Sequence, residues 1–349
     1  MSTYQRFLLA LLPFALCLFF TLPRQLATHQ NERFLIVENM HSKKSQDQIR
    51  EKTTQGYRMA LIAPQGDVTL LEHNANDSGK FAYDFVECPN LWKRDECESV
   101  LNREGAAGFR VLPVATDTVD RKVWFGARFV GRFVLEKSPE SGTYSYAIKN
   151  KQSAESHSPV ALVFTDYSTT MILSEHSSDA AVGTGVGSYL KVGPEDSRKL
   201  IKKLNDLGAR GYRLFLWTSY VRRGGPQFAI VHIPAESGIS EYALLSTKDA
   251  PEIIRQRLDE QGAKGFHPLA IAPHQIVLER AQQTKATRCS YQIVSAHNNQ
   301  SFSAELEKYL DEGYRLTLLV ALDLRASRFM NFGDVQYDSS PIVILEKCD

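Results

Sequence analysis

The sequence repeats one short motif, a glycine followed by an aromatic and then a basic residue. The motif occurs at Gly56-Tyr57-Arg58, Gly108-Phe109-Arg110, Gly211-Tyr212-Arg213, Gly265-Phe266-His267 and Gly313-Tyr314-Arg315. The interval from Gly108 to Gly211 is close to twice each of the other intervals between successive motif glycines. We therefore expect six units, of which the third lacks the motif near position 159. Such a period is typical of a chain built from tandem copies of one small structural unit.

Each unit predicts the order strand, helix, strand, strand. In the helix with the clearest pattern, Leu200, Leu204 and Leu207 recur on one face. We expect Gly208 to end this helix in the left-handed conformation, and Gly211 to let the backbone turn into the next strand. The strand-helix-strand step predicts a parallel crossover, and the last two strands predict an antiparallel hairpin.

The third unit is the least regular of the six. Residues 157–176 align with the second and third strands of the first unit, and a loop around 150–158 takes the place of the helix. An alternative interpretation treats residues 144–176 as a hairpin inserted into the chain. The regular period favours the first interpretation.

A second period is visible in the length of the hairpins. The interval from the motif glycine to the glutamate that ends the third strand is short from Gly56 to Glu72 and much longer from Gly108 to Glu136. Odd units have short hairpins and even units have long ones. The sequence therefore predicts an α+β fold of six βαββ units with mixed sheets covered by amphipathic helices. The units pair into three tandem domains of similar length, at 28–138, 139–237 (first unit degenerate) and 238–349.

Three copies carry a longer form of the motif, in which a helix runs into the glycine. These are LNREGAAGF from Leu101, LNDLGARGY from Leu204 and LDEQGAKGF from Leu258. This form resembles the helix end of a widespread small bacterial domain family of unknown function, a single βαββ module closing in Leu-Asn-x-x-Gly-x-x-Gly-aromatic. The resemblance covers only the helix-to-strand junctions, and the family has Trp where this chain has Phe or Tyr. It implies a βαββ fold and carries over no catalytic residue.

The N-terminal segment 1–27 has the layout of a secretory signal. Positions 7–22 form an uncharged apolar run behind Arg6, a little short for a membrane span. We expect this segment to direct export and to be removed after Ala27, although Gln25 occupies a place where a small residue is usual. The alternative is an uncleaved N-terminal segment that anchors the chain in a membrane.

Cysteine usage agrees with export, because disulfides persist in oxidising compartments. Beyond the segment 1–27 the chain has Cys88, Cys97, Cys289 and Cys348. We predict the pairs Cys88–Cys97 and Cys289–Cys348, which is one of three connectivities; the alternative is four buried free thiols. No C-x-x-C or H-x-x-x-H spacing brings metal ligands together, so we expect no metal and no cofactor.

The composition is that of a folded globular chain, with 43% hydrophobic residues. With 41 Lys and Arg against 40 Asp and Glu, the chain has no general basic field to hold nucleic acid. No catalytic motif of the G-x-S-x-G or H-E-x-x-H type is present. A glutamate followed by a basic residue recurs at the end of third strands, and we interpret these charges as protection of sheet ends.

The hairpins of the even units are rich in aromatic residues and arginine, a composition enriched at buried interfaces. We call these hairpins the three arms and predict that they carry a partner-binding surface. The residues singled out are Trp124, Arg128, Phe129, Trp217, Tyr220, Arg222, Arg223, Arg325, Arg328 and Phe329. The alternative is that they form long strands packed on the neighbouring unit, with arginine facing water.

These features predict an exported repeat protein, periplasmic or extracellular, that acts as a non-catalytic binding or scaffold module. The expected partner is a protein or another component of the cell envelope, with no nucleic acid and with membrane contact only through an uncleaved N-terminal segment. Two alternatives remain open: an enzyme with a site at a junction between repeat domains, and a carrier of a small ligand.

Overall fold

The structure is a computed structural model of the chain. It describes residues 32–63, 68–113, 116–123, 126–149, 158–165, 170–178, 189–219, 227–232, 238–272, 274–281, 288–296, 301–323 and 339–349. The predicted signal or anchor at 1–27 lies outside these residues. The residues from Arg33 to Asp349 form one compact body.

The described residues contain helices and strands in a regular alternation. The helices are α1 (Lys43–Thr54), α2 (Arg94–Ala106), α3 (Ser197–Gly208), α4 (Pro251–Gly262) and α5 (Phe302–Asp311). The strands of the first half are β1 (Phe34–Glu38), β2 (Tyr57–Ile62), β3 (Val68–His73), β4 (Ala82–Cys88), β5 (Arg110–Val111), β6 (Asp117–Val123), β7 (Gly126–Lys137), β8 (Tyr144–Lys149), β9 (Ser158–Phe164) and β10 (Thr170–Ser177). The strands of the second half are β11 (Tyr189–Glu195), β12 (Arg213–Ser219), β13 (Gln227–His232), β14 (Ser240–Ser246), β15 (His267–Ala272), β16 (Gln275–Ala281), β17 (Cys289–Ser295), β18 (Arg315–Asp323) and β19 (Ser339–Cys348).

The strands form six small sheets, so the chain has a mixed α+β fold. The sheet orders are β1-β3-β2, β4-β7-β5 with β6 also on β7, β8-β10-β9, β11-β13-β12, β14-β16-β15 and β17-β19-β18. We number the sheets 1 to 6 along the chain and call each sheet, with any helix between its first two strands, a unit.

Every strand pair in these sheets is antiparallel, and the prediction of mixed sheets is wrong in this respect. In sheet 1 both β1 and β2 pair with β3, which lies between them. The strand-helix-strand step therefore does make β2 parallel to β1. The two strands are not adjacent, because β3 lies between them. This is the split βαβ arrangement, in which the predicted hairpin occupies the centre of the sheet.

The third unit has the same strand order as the others, with β10 between β8 and β9. Three strands pair in a sheet of their own here, which favours a separate unit over a hairpin inserted at 144–176. The residues that join β8 to β9, at 150–157, lie outside the described part of the chain.

The two glycines at the helix end have different physical roles. Gly211 has φ of 86°, the left-handed conformation that favours glycine, and it leads directly into β12. Gly208 is the last residue of α3, and its expected left-handed conformation is wrong. A Cβ at Gly208 would collide with the backbone carbonyl of Ser240 in the next unit. Gly208 is therefore a close-approach glycine, as are the equivalent Gly105 and Gly262.

Helices α1 to α4 each pack on the first strand of a following unit. The contacts run from α1 to β4, α2 to β8, α3 to β14 and α4 to β17. The side chain of Asn205 on α3 fixes this packing, since it accepts a 2.6 Å hydrogen bond from the Tyr242 N–H and donates a 3.0 Å bond to the Tyr242 carbonyl. Asn102 makes the same two bonds with Tyr146. The hydrophobic cores consequently lie between units rather than within them.

The succession of contacts closes on itself. Helix α5 of the last unit packs on β1 of the first. The Ser303 hydroxyl accepts a 3.0 Å hydrogen bond from the Phe34 N–H, although the two residues are far apart in sequence. One core cluster joins Phe34 and Leu70 to Leu306 and Val343. Units 3 and 4 meet where Lys191 Nζ donates to the Thr170 carbonyl, so the six units form a closed cycle of neighbours.

Both predicted disulfides are confirmed. Cys88 bonds Cys97, which ties β4 to the start of α2, and Cys289 bonds Cys348, which lies directly opposite it on β19. The division into three two-unit domains stays a prediction from hairpin length. In the structure, helix packing continues across residues 139 and 238, where α2 contacts β8 and α3 contacts β14.

Candidate functional site

Most of the predicted arm surface falls outside the described residues. This holds for Trp124, Tyr220, Arg222, Arg223, Arg325, Arg328 and Phe329. Arg128 lies on β7 and Trp217 on β12, paired with Ala229 of β13. Phe129 is 3% exposed and belongs to the core cluster that units 2 and 3 share. Its side chain therefore packs inside the protein, as the alternative interpretation expected for this residue.

A tyrosine on the first strand and a glutamate on the third recur as direct neighbours in four units. We call each pair a junction pair. They are Tyr83 with Glu136, Tyr146 with Glu175, Tyr242 with Glu279 and Tyr291 with Glu346. In each pair the hydroxyl donates to the carboxylate, at 2.7, 3.3, 2.8 and 2.9 Å respectively.

Each junction pair receives the start of the second strand of a preceding unit. The Tyr242 hydroxyl accepts a 2.7 Å bond from the Leu214 N–H, and Arg213 pairs with Glu279. Burial and the neighbouring carboxylate raise the pKa of Tyr242 well above its usual value, so the hydroxyl keeps its proton and can donate. The basic residue of the motif thus reaches the next unit in three copies, through Arg110, Arg213 and His267. In the other two copies, Arg58 and Arg315 pair with glutamates of their own units.

The glutamates were expected to protect sheet ends, and the structure corrects this interpretation. Glu175, Glu279 and Glu346 are 5%, 6% and 2% exposed. Buried carboxylates require paired hydrogen-bond donors, which the tyrosine and the basic residue supply. The glutamates therefore hold neighbouring units together.

The junctions differ in how well they stabilise the ionised carboxylate. At Glu175, burial outweighs the bonds from Arg110 and raises the pKa above its ordinary value. At Glu346, burial acts in the same direction, but bonds from His267 and Arg315 and a third from the tyrosine outweigh it and hold the pKa at about 2. The additional donor explains the difference.

Unit 4 departs from the junction pattern. His232 stands opposite Tyr189, where the other junctions place glutamate. The rings of Tyr189, Phe215 and His232 form a cluster with centroids 5.5 to 5.7 Å apart. Burial and Arg213 lower the pKa of His232, which favours the neutral imidazole. Phe215 is 42% exposed, so this junction presents an aromatic surface rather than a buried ion pair.

Unit 6 departs in another way, through its disulfide. His267 of unit 5 lies 2.7 Å from Glu346 Oε1 and 3.5 Å from Cys289 Sγ. Together with Cys348, these side chains place four metal-ligating atoms within 4.8 Å of one another. Within the described residues this is the one such group. His73 and His176, at equivalent positions in units 1 and 3, do not belong to it.

No motif in the sequence signals this group, because His267 and the two cysteines belong to different units. The recurrence of tyrosine in first strands was a usable signal for the junction pairs, but only the register shows that tyrosine and glutamate are neighbours. No described helix is long and apolar enough to cross a membrane. Two disulfides are typical of a non-cytoplasmic environment.

No protein-family model, curated protein or solved structure matches the chain. The resemblance to the small bacterial domain family stays a prediction from the motifs. The geometry of the units and their junctions is therefore the basis on which a function can be proposed.

Proposed function

We propose that this chain is an exported, non-catalytic binding or scaffold protein, in which six βαββ units, the third without a helix, hold three arms. The units pair into three tandem domains, each contributing one arm. The expected partner is a protein or another component of the cell envelope.

The observation that carries the proposal is the length of the hairpins in units 2 and 6. The hairpin of unit 4, from Arg213 to His232, is no longer than that of unit 3, from Ser158 to Ser177. In unit 5, β15 and β16 pair as far as Ala272 and Gln275, with two residues between them. In unit 6, β18 and β19 pair as far as Asp323 and Ser339, with residues 324–338 between them. In unit 2 the extra length lies in the strands, since β7 has twelve residues and β3 has six.

Equivalent hairpins leave equivalent sheets at the same end, because second and third strands pair in the same order in each unit. The third arm is proposed in unit 4 from the composition of its hairpin, which places the three arms at every second position of the cycle. Three aromatic and arginine-rich arms held by one compact body suit a multivalent grip on a partner. The junction pairs support this role, since hydrogen bonds between neighbouring units help to preorganise the hairpins that those units carry.

The arm surface is tested by affinity capture with the immobilised full-length chain against cell-envelope extract, read by quantitative mass spectrometry. The test variant combines Trp124→Ala, Trp217→Ala and Phe329→Ala. The matched control is Trp92→Ala, because Trp92 is 60% exposed on the described surface outside the arms. We expect a specific partner with wild type and control and its loss with the arm variant. A partner retained by the arm variant would contradict the arm proposal.

Export has a separate test. We expect the mature protein in the periplasmic or extracellular fraction, with its N-terminus at residue 28 and both cysteine pairs oxidised. Intact chains with free thiols in the cytoplasm would contradict export without bearing on the arms.

A further inference from the structure

Two departures from the repeat meet at the junction between units 5 and 6. The basic residue that reaches the next glutamate is Arg110 at Glu175 and Arg213 at Glu279, but at Glu346 it is His267. An imidazole can bind a metal through a ring nitrogen, whereas a guanidinium cannot. Of the three junctions compared, the one at Glu346 therefore has a docking residue that can also bind a metal.

The second departure is the cysteine pair. Cys289 and Cys348 are directly opposite each other, two positions from Tyr291 and Glu346. The same two positions in unit 5 are Ser240 and Ala281, which cannot form a disulfide. The junction between units 5 and 6 thus has both sulfur and imidazole ligands, and the junction between units 4 and 5 has neither.

One spacing of the ligand atoms matches a tetrahedral zinc site and a second is close to it, while the two bonded sulfurs would separate on reduction. With Zn–S near about 2.3 Å and Zn–N near about 2.05 Å, a sulfur and a nitrogen ligand lie about 3.6 Å apart. The distance from Cys289 Sγ to His267 Nδ1 is 3.5 Å. The nitrogen and oxygen ligands of such a site lie about 3.3 Å apart, and the 2.7 Å from His267 Nδ1 to Glu346 Oε1 would widen by about 0.6 Å.

The carboxylate is oriented by its surroundings. Glu346 Oε1 faces His267, while Arg315 Nη2 lies 2.6 Å from Oε2. The Tyr291 hydroxyl donates to Oε1 at 2.9 Å. Hydrogen bonds of this kind around a ligand fix its direction and are a regular part of protein metal sites.

We propose that these four side chains form a redox-gated binding site for Zn²⁺. In the oxidised protein the two sulfurs bond each other, so neither is a thiolate ligand. A dithiol reductant donates two electrons and two protons; the sulfur–sulfur bond breaks, two cysteine thiols form and the reductant becomes a disulfide. Zn²⁺ then binds both sulfurs with release of two protons, together with the imidazole and the carboxylate.

The test uses the full-length chain and Co²⁺ alone as the probe. Protein is reduced with a dithiol that is then removed under anaerobic conditions, and Co²⁺ is titrated in. We expect about one Co²⁺ per reduced chain, with thiolate-to-cobalt charge-transfer absorption and the visible bands of tetrahedral cobalt, displaced by Zn²⁺. The oxidised chain should show neither absorption.

Two variants make the result specific. His267→Arg installs the residue that units 2 and 4 use, so it keeps the ion pair with Glu346 but removes one ligand. We expect its Co²⁺ affinity to fall at least about tenfold. Cys289→Ser with Cys348→Ser should abolish the charge-transfer band, although the other cysteines are still reduced.

Circular dichroism of each reduced protein reports whether the fold persists. Three results would overturn the proposal: no charge-transfer band in the reduced wild type, equal affinity in His267→Arg, or unfolding of the reduced wild type that Co²⁺ does not reverse.

Discussion

The close approach of helix to neighbouring strand predicts that Gly262→Ala destabilises the protein, although alanine is the better helix former. A Cβ at this position would lie 2.5 Å from the Cys289 carbonyl oxygen and 2.6 Å from Tyr291 Cε2. The first of these atoms belongs to the backbone and cannot rotate away. Helix α4 must therefore move outward by about 0.9 Å to reach an ordinary contact of about 3.4 Å.

The expected change in the free energy of unfolding is the sum of three contributions, two of which destabilise the protein and one of which stabilises it. Overpacking against backbone costs about 3 kcal/mol. Alanine in place of glycine in a helix recovers at most about 1 kcal/mol. The shift also stretches the 2.8 Å bond from the Tyr291 N–H to Asp259 beyond hydrogen-bond range, which costs about 1 kcal/mol. We expect the free energy of unfolding to fall by about 3 kcal/mol.

Urea unfolding followed by circular dichroism measures this change. The matched control is Glu260→Ala, an exposed position on the same helix, which should shift the free energy by less than about 0.5 kcal/mol. If Gly262→Ala were as stable as wild type, the close approach of the helix to the strand would not be a tight constraint. The role assigned to Gly262 as a close-approach glycine would then be refuted.

Three further outcomes can be measured in the same unfolding assay. Tyr242→Phe leaves the Glu279 carboxylate without its buried hydroxyl donor, so it should lower the free energy of unfolding by about 1 to 3 kcal/mol; no loss would contradict the junction role. Burial raises the pKa of Glu175 in the folded protein, so the protonated carboxyl stabilises the fold. This contribution is fully present below the pKa of the unfolded chain and is lost as the pH rises through the pKa of the folded protein. Glu175→Gln should therefore gain stability relative to wild type from pH 4 to pH 7, and a difference that does not change with pH would contradict this. Serine at both Cys88 and Cys97 opens a short loop and should cost about 3 kcal/mol, whereas an unchanged midpoint would show that the bond adds nothing.

The local structure was predictable where one residue type permits one conformation. Gly211 indicated a left-handed turn into a strand, and the leucines of α3 indicated its buried face. The cysteine pairing followed from placing Cys289 and Cys348 at opposite ends of one unit. These inferences need only neighbours in sequence or within a single unit.

The arrangement between units was not predictable in the same way. A strand-helix-strand pattern looks alike whether β2 lies beside β1 or beyond β3, because the helix can span either distance. Gly208 has the sequence context of a helix end, and only the carbonyl of Ser240 in the next unit reveals why a side chain is excluded. The metal-ligating group is a further case, since His267 meets Cys289 only after two units dock.

Closure of the cycle affects where the protein can begin to unfold. A linear array of repeats leaves an apolar face bare at each end and needs specialised end repeats to cover it. Here α5 covers β1, and Ser303 satisfies the Phe34 N–H that would otherwise mark the first end. No described unit is an end, so the failure of any one junction leaves each unit still attached to a neighbour on its other side. Fraying, which begins at free ends in an open array, has no starting point in this one.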